Sequence, residues 1–145
     1  MNMKARLSTL WLFATLNYLY CDVLGLMNPS MLKQFLAGNV SGLDISQGFL
    51  LASGVLVEIP MAMVLLSRIL PHRSNWVANI VASTVMTLVQ LASNFVGAPQ
   101  AYYVFFSVIE IGTTVAILWF AWRWRLDQSE QSPERDTAPL EIRAS

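Results

Sequence analysis

Residues 48–70 read GFLLASGVLVEIPMAMVLLSRIL. As a helix rising about 1.5 Å per residue, a run this long and apolar matches the roughly 30 Å hydrocarbon core of a bilayer. Glu58 lies at its middle, and Pro60 follows two residues later. A carboxyl at that depth costs roughly 2.5–3.5 kcal/mol on insertion scales, so the rest of the chain has to make it tolerable. Three other stretches share the character of this one. Spans are expected at about 7–27, 45–70, 75–96 and 101–122.

The composition agrees. Of 145 residues, 55% are hydrophobic and 12% charged, against about 25% charged in a soluble domain. The charges are segregated: from Arg123 onward, 23 residues hold 4 of the 9 basic and 5 of the 9 acidic side chains. The expected fold class is all-α, an integral membrane four-helix bundle occupying residues 1–125. Residues 126–145, with Pro133 and Pro139, read as a polar cytoplasmic tail without fixed structure.

Several function classes recede on these numbers. The formal net charge of zero gives nucleic acid no electrostatic footing. Cys21 is the single cysteine and His72 the single histidine, so neither an intramolecular disulfide nor a metal-ligand motif is expected. No cofactor is expected. The basic start, Lys4 and Arg6 before an apolar run, resembles a signal peptide. That run is too long for a signal core, and no A-x-A site follows it. Tyr20 stands where a lipoprotein signal ending at Cys21 needs a small residue. The first segment is read as a retained helix.

Local signals set the connections. Asn28-Pro29 opens a short surface helix over about 31–37, because proline suits the first helical position. Gly38 ends it, and 38–42 reads as a flexible link. Asp44, with Gln47 three residues on, is a variant capping box that starts the second span near Ile45. Pro71 stops that span, Ser74 caps the third, and 97–100 is a tight turn. Lys4, Arg6, Arg68, Arg73, Arg123 and Arg125 fall on one side of a four-span chain, and Lys33 on the other. Both termini are therefore expected in the cytoplasm, in a cell inner (plasma) membrane. Trp76, Trp119, Trp122 and Trp124 fall near the same boundary and suit an interfacial anchor.

Inside the spans, polar residues recur at one depth. Asn79, Ser83, Thr87, Gln90 and Asn94 are spaced 4, 4, 3 and 4 and share one helical face. Tyr103, Ser107, Glu110 and Thr114 form a second stripe. Tyr18 and Asp22 share a face of the first helix, and Asn17 is turned partly away as a possible interhelical contact. In the second span, Gly54 and Ala62 flank Glu58, and Pro60 frees the Leu56 carbonyl near it. With the stripes turned inward, Glu58, Glu110 and Asp22 would share an interior without basic residues, and at least one carboxyl is expected to be protonated at neutral pH.

The segments KARLSTLWLF, LNYLYCDVL, QGFLL…VEIPMAMVLLSR and YYVFFSVIEI…WFAWRWR resemble a family of small bacterial and archaeal four-span proteins defined as a domain of unknown function. The resemblance covers about residues 4–125 and is most specific at EIPMAMVLLSR. It implies the four-span topology and assigns no activity. A looser similarity in size and span count is to DoxX-like four-helix membrane proteins.

The leading functional expectation is binding or transport of a proton, cation or small amine-bearing molecule. Its candidate ligand-binding residues are Glu58, Glu110, Asp22, Gln90, Thr87, Tyr18, Tyr103 and Ser107. Transport through four short helices would call for a homo-oligomer. Two alternatives stand beside it: a membrane enzyme on a lipid-like substrate, with Glu58 and Glu110 as acid and base, and a structural or accessory subunit whose acids pair with a partner's basic helix. Besides the lipid bilayer, the expected partners are the ligand and a second copy of the chain.

Overall fold

Residues 2–95 and 100–131 are described by a computed structural model. Helix α1 runs Met3–Met27, α2 Pro29–Leu36, α3 Gln47–Ile69, α4 His72–Ser93 and α5 Ala101–Gln131. Four of these, all but α2, are long and apolar enough to cross a membrane. They form a ring in which α1 touches α3 and α5, and α4 touches α3 and α5. The described residues thus form a mostly helical bundle of four long apolar helices, the composition of a multi-pass membrane protein.

The helix boundaries follow local chemistry. Asn2 accepts from the Lys4 amide and starts α1 earlier than the apolar run alone suggested. Asn28 accepts from the Ser30 amide, and Pro29 occupies the first position of α2. Residues 38–42 correct the expectation of a flexible link. Asn39–Val40 pairs antiparallel with Leu43–Asp44. Ser41 (φ 52°) and Gly42 (φ 84°) supply the two left-handed residues that a two-residue hairpin turn requires. The Asn39 side chain accepts from the Gly42 amide, and Gln34 reaches from α2 to accept from Ser41. Asp44, engaged in that hairpin, does not cap α3. Ser46 does, accepting from the Phe49 amide.

Pro60 lies inside α3 without ending it and is buried. Helix α4 begins at His72 directly after Pro71, so Ser74 is not its cap. Helix α5 continues to Gln131, nine residues past the expected end at Trp122. The expected turn at 97–100 lies outside the described residues except for Gln100, and the tail from 132 lies wholly outside them.

One end of the bundle carries the cations and indoles. The Lys4 ammonium donates to the Leu70 carbonyl at 2.6 Å. The Arg125 guanidinium lies 5.0 Å from the Trp76 ring and 5.3 Å from the Trp122 ring. His72 meets Trp124 edge to face at 4.3 Å. Just inside this basic end lie Leu7, Trp11, Met63, Ala82, Met86 and Ile117, the packed core.

Candidate functional site: a carboxyl-lined cavity

The core contains a polar knot in which each group has a partner. Trp11 donates its indole N–H to Asn79 Oδ1 at 2.8 Å, and Ser67 donates to the same oxygen at 3.3 Å. Asn79 donates to Asn75 Oδ1 at 2.7 Å, and Asn75 to the Ser67 carbonyl at 2.6 Å. Beside it, Arg68 donates to Ser8, which donates to the Val64 carbonyl. This knot ties α1, α3 and α4 together, and its buried side-chain polar atoms all have hydrogen-bond partners among the described residues.

Further from the basic end the bundle opens. A cavity of about 270 Å³ lies among α1, α3, α4 and α5. Its polar lining includes Tyr18, Asp22, Gln90, Tyr103 and Glu110. Cys21, Ser53 and Ser93 add to it, and Leu56, Val57, Met86 and Val89 form the apolar wall. None of these described lining residues is basic. Met86 belongs both to this wall and to the packed core, so the core closes the cavity toward the basic end. Asp22 is exposed, whereas Glu110 is 1% exposed. One carboxyl thus marks the rim and the other the interior.

Register explains how Glu110 reaches that position. It lies nine residues into α5, about 14 Å from the helix start. Ser107, Glu110 and Thr114 all face inward and are buried. Gln90 of α4 donates to Ser107 Oγ at 2.8 Å. The Thr87 and Thr114 hydroxyl oxygens lie 2.8 Å apart. These two ties fix α4 against α5 above and below Glu110. Glu110 Oε1 and the Tyr18 hydroxyl are buried with no hydrogen-bond partner among the described residues. Buried polar atoms are nearly always paired, so two orphans lining one cavity are conspicuous.

The sequence-derived set divides on this geometry. Glu110, Asp22, Gln90, Tyr18 and Tyr103 come together around the cavity. Ser107 and Thr87 stand behind it in helix-to-helix hydrogen bonds. Glu58 does not join them, which corrects the expectation that it shares an interior with Glu110. Its side is exposed, while Pro60, Met63 and Ser67 are the buried residues of α3. At about 100° per residue, Glu58 points roughly 160° away from Pro60. Asn17 also departs from its expected interhelical role, donating to the Phe13 carbonyl of its own helix at 2.8 Å. Cys21, Ser53 and Ser93 went unrecognised. Ser53 carries no periodic signal, being a single small polar residue in an apolar run, whereas Ser93 lies three residues after Gln90 on the α4 stripe. Cys21 lies beside Asp22 and three residues after Tyr18, on the face that Tyr18 presents to the cavity. Among the described residues no cluster of His, Cys, Asp and Glu fits a metal ion.

A family model matches residues 1–131. The chain belongs to that family, the Family of unknown function (DUF6326). The DUF6326 match ends at the residue where α5 ends, so it takes in all four long helices and both walls of the cavity. No match was found among curated proteins or among solved structures. The looser similarity to DoxX-like proteins therefore has no such match behind it.

Proposed function

We propose that the four long helices cross the cell's inner (plasma) membrane with both termini in the cytoplasm. In this reading the cavity binds a proton, a cation or a small amine-bearing molecule entering from the opposite side. The cations at Lys4, Arg68, Arg73 and Arg125 support the orientation, because cytoplasmic ends carry the excess of Lys and Arg. The single observation that carries the binding reading is the buried Glu110 Oε1, which has no partner among the described residues, in a cavity with no basic residue among its described lining. A proton or a cationic ligand supplies what that oxygen lacks. Asp22 at the rim draws the same charge inward, Gln90 and Tyr103 offer polar contacts, and Tyr18 brings a second unpaired oxygen.

Size favours a small ligand. Pockets for drug-sized molecules span about 300–1,000 Å³, and this cavity is slightly smaller. It suits a hydrated cation or a short amine better than a lipid-like substrate. The acid/base alternative also loses its geometry, because Glu58 and Glu110 do not face one cavity. The closed core beneath Met86 favours binding from one side over an open path. Movement across the membrane would require that plug to rearrange.

The test is binding in liposomes or nanodiscs. Protein is titrated with monovalent cations and with short alkylamines, with calorimetry and tryptophan fluorescence as readouts. Saturable binding to the wild type that is lost in Glu110→Gln and weakened in Asp22→Asn is the expected outcome. Equal binding by wild type and Glu110→Gln, with both eluting as the same folded species, overturns the proposal.

A further inference from the structure

The cavity has two unlike sides. Helices α1 and α5 line it with Tyr18, Cys21, Asp22, Tyr103 and Glu110, each of which carries a hydroxyl, thiol or carboxyl. Its hydrocarbon, Leu56, Val57, Met86 and Val89, comes entirely from the opposite pair, α3 and α4. Three oxygens on its lining residues accept no hydrogen bond among the described residues. Glu110 Oε1 and the Tyr18 hydroxyl are buried without a partner. Gln90 commits its Nε2 to Ser107 Oγ at 2.8 Å, which leaves its Oε1 to accept from elsewhere. These features separate the kinds of occupant. Hard metal cations such as Ca²⁺ and Mg²⁺ take about six or more oxygen ligands. No cluster of His, Cys, Asp and Glu fits a metal ion among the described residues, and hydrocarbon takes up the far side. A proton alone satisfies one oxygen and fills no volume. At about 30 Å³ for each water-sized group, the cavity of about 270 Å³ holds roughly nine non-hydrogen atoms.

We propose that the occupant is a primary alkylammonium ion with a short tail. Its –NH3⁺ head donates to Glu110, Tyr18 and Gln90, and its hydrocarbon lies against Leu56, Val57, Met86 and Val89. An –NH3⁺ group carries three donors and no acceptor, the complement of three oxygens that lack donors. Its positive charge suits a cavity whose described lining holds two acids and no base. A quaternary ammonium of equal charge has no N–H and leaves all three oxygens unsatisfied. Sites built to hydrogen-bond a ligand discriminate strongly against an analogue that lacks the bonding group. The tail accounts for the α3–α4 wall: each methylene buried there tightens binding about fourfold until the volume is filled. The assignment rests on the binding reading proposed above and narrows its ligand to one class.

Calorimetry in nanodiscs tests it. The probes are ethyl-, butyl- and hexylammonium, tetramethylammonium and Na⁺, with heats into protein-free discs subtracted. The wild type is expected to bind the three alkylammonium ions saturably, tightening with tail length by about fourfold per methylene. Tetramethylammonium and Na⁺ should show no saturable binding at the same concentrations. Tyr18→Phe keeps the ring and removes one oxygen, and should weaken all three alkylammonium ions roughly tenfold alike. Glu110-dependent binding of tetramethylammonium or Na⁺ as tight as that of hexylammonium overturns the alkylammonium and leaves the binding reading in place. So does an affinity that ignores tail length, or one unchanged in Tyr18→Phe. Absence of binding by every probe, or identical isotherms with Glu110→Gln, overturns both.

Discussion

At the scale of single residues, Glu58 and Glu110 show how position and direction separate. Glu58 lies near the middle of α3, about 17 Å from its start, and Glu110 in the first third of α5, about 14 Å from its start. Their place along the helices was legible in the sequence. The face was not, for a physical reason: a helix in lipid has Leu and Val on its outward side as well as on its packed side. Leu51 and Val55 outside α3 look like Leu56 and Met63 inside it. Only polar stripes break the degeneracy, and α3 has no continuous one: Ser53 and Ser67 face inward but stand fourteen residues apart, and Glu58 points the other way. Helices α4 and α5 do carry stripes, and Asn79, Ser83, Gln90, Ser107, Glu110 and Thr114 turn inward as expected. Asn79, fully buried at the centre of the knot, is the residue to test by mutation. Asn79→Leu leaves the Trp11 indole N–H, the Ser67 hydroxyl and Asn75 Oδ1 short of a partner, at a cost of about 1–3 kcal/mol for each group left unsatisfied. A lower thermal unfolding midpoint in detergent is expected, and an unchanged midpoint would show that the knot contributes nothing.

At the scale of elements, the short hairpin between α2 and α3 was hidden because two-residue strands are too brief for alternation to register. Its two signals, Ser41-Gly42 as a left-handed turn and Asn39 opposite Asp44, look like a linker until the backbone folds over. The cap then passes from Asp44 to Ser46, and α3 starts two residues later than the sequence suggested. Gly42 (φ 84°) is the residue this element depends on. Gly42→Val forces a branched side chain into the left-handed region, where a side chain costs roughly 1–2 kcal/mol. The hairpin has only two paired residues per strand with which to absorb this. Limited proteolysis should show faster cleavage within 39–44, while the four long helices remain protected. Uniform loss of protection would mean that the hairpin supports the whole bundle.

At the scale of the whole molecule, the two ends differ in kind. The basic end is tied by Lys4, Arg68, Trp11 and Asn79 around a packed core, and the other half holds the cavity. Because α1, α3, α4 and α5 all contribute to its lining, no pair of helices can be removed and leave it intact. Side-specific labelling tests the orientation. A cysteine replacing Ser41 should react with an impermeant maleimide added outside cells, and one replacing Ser74 only after the membrane is breached. The opposite pattern would invert the topology and put the cavity on the cytoplasmic side. The length of α5 has its own consequence. Its 31 residues extend about 46 Å, well beyond the roughly 30 Å of hydrocarbon. In the proposed orientation its last turns stand in the cytoplasm as a rigid post, anchored at the surface by the stacking of Arg125 between Trp76 and Trp122. Its cytoplasmic end and the Glu110 wall of the cavity belong to one helix, so a tilt of that helix would shift both together.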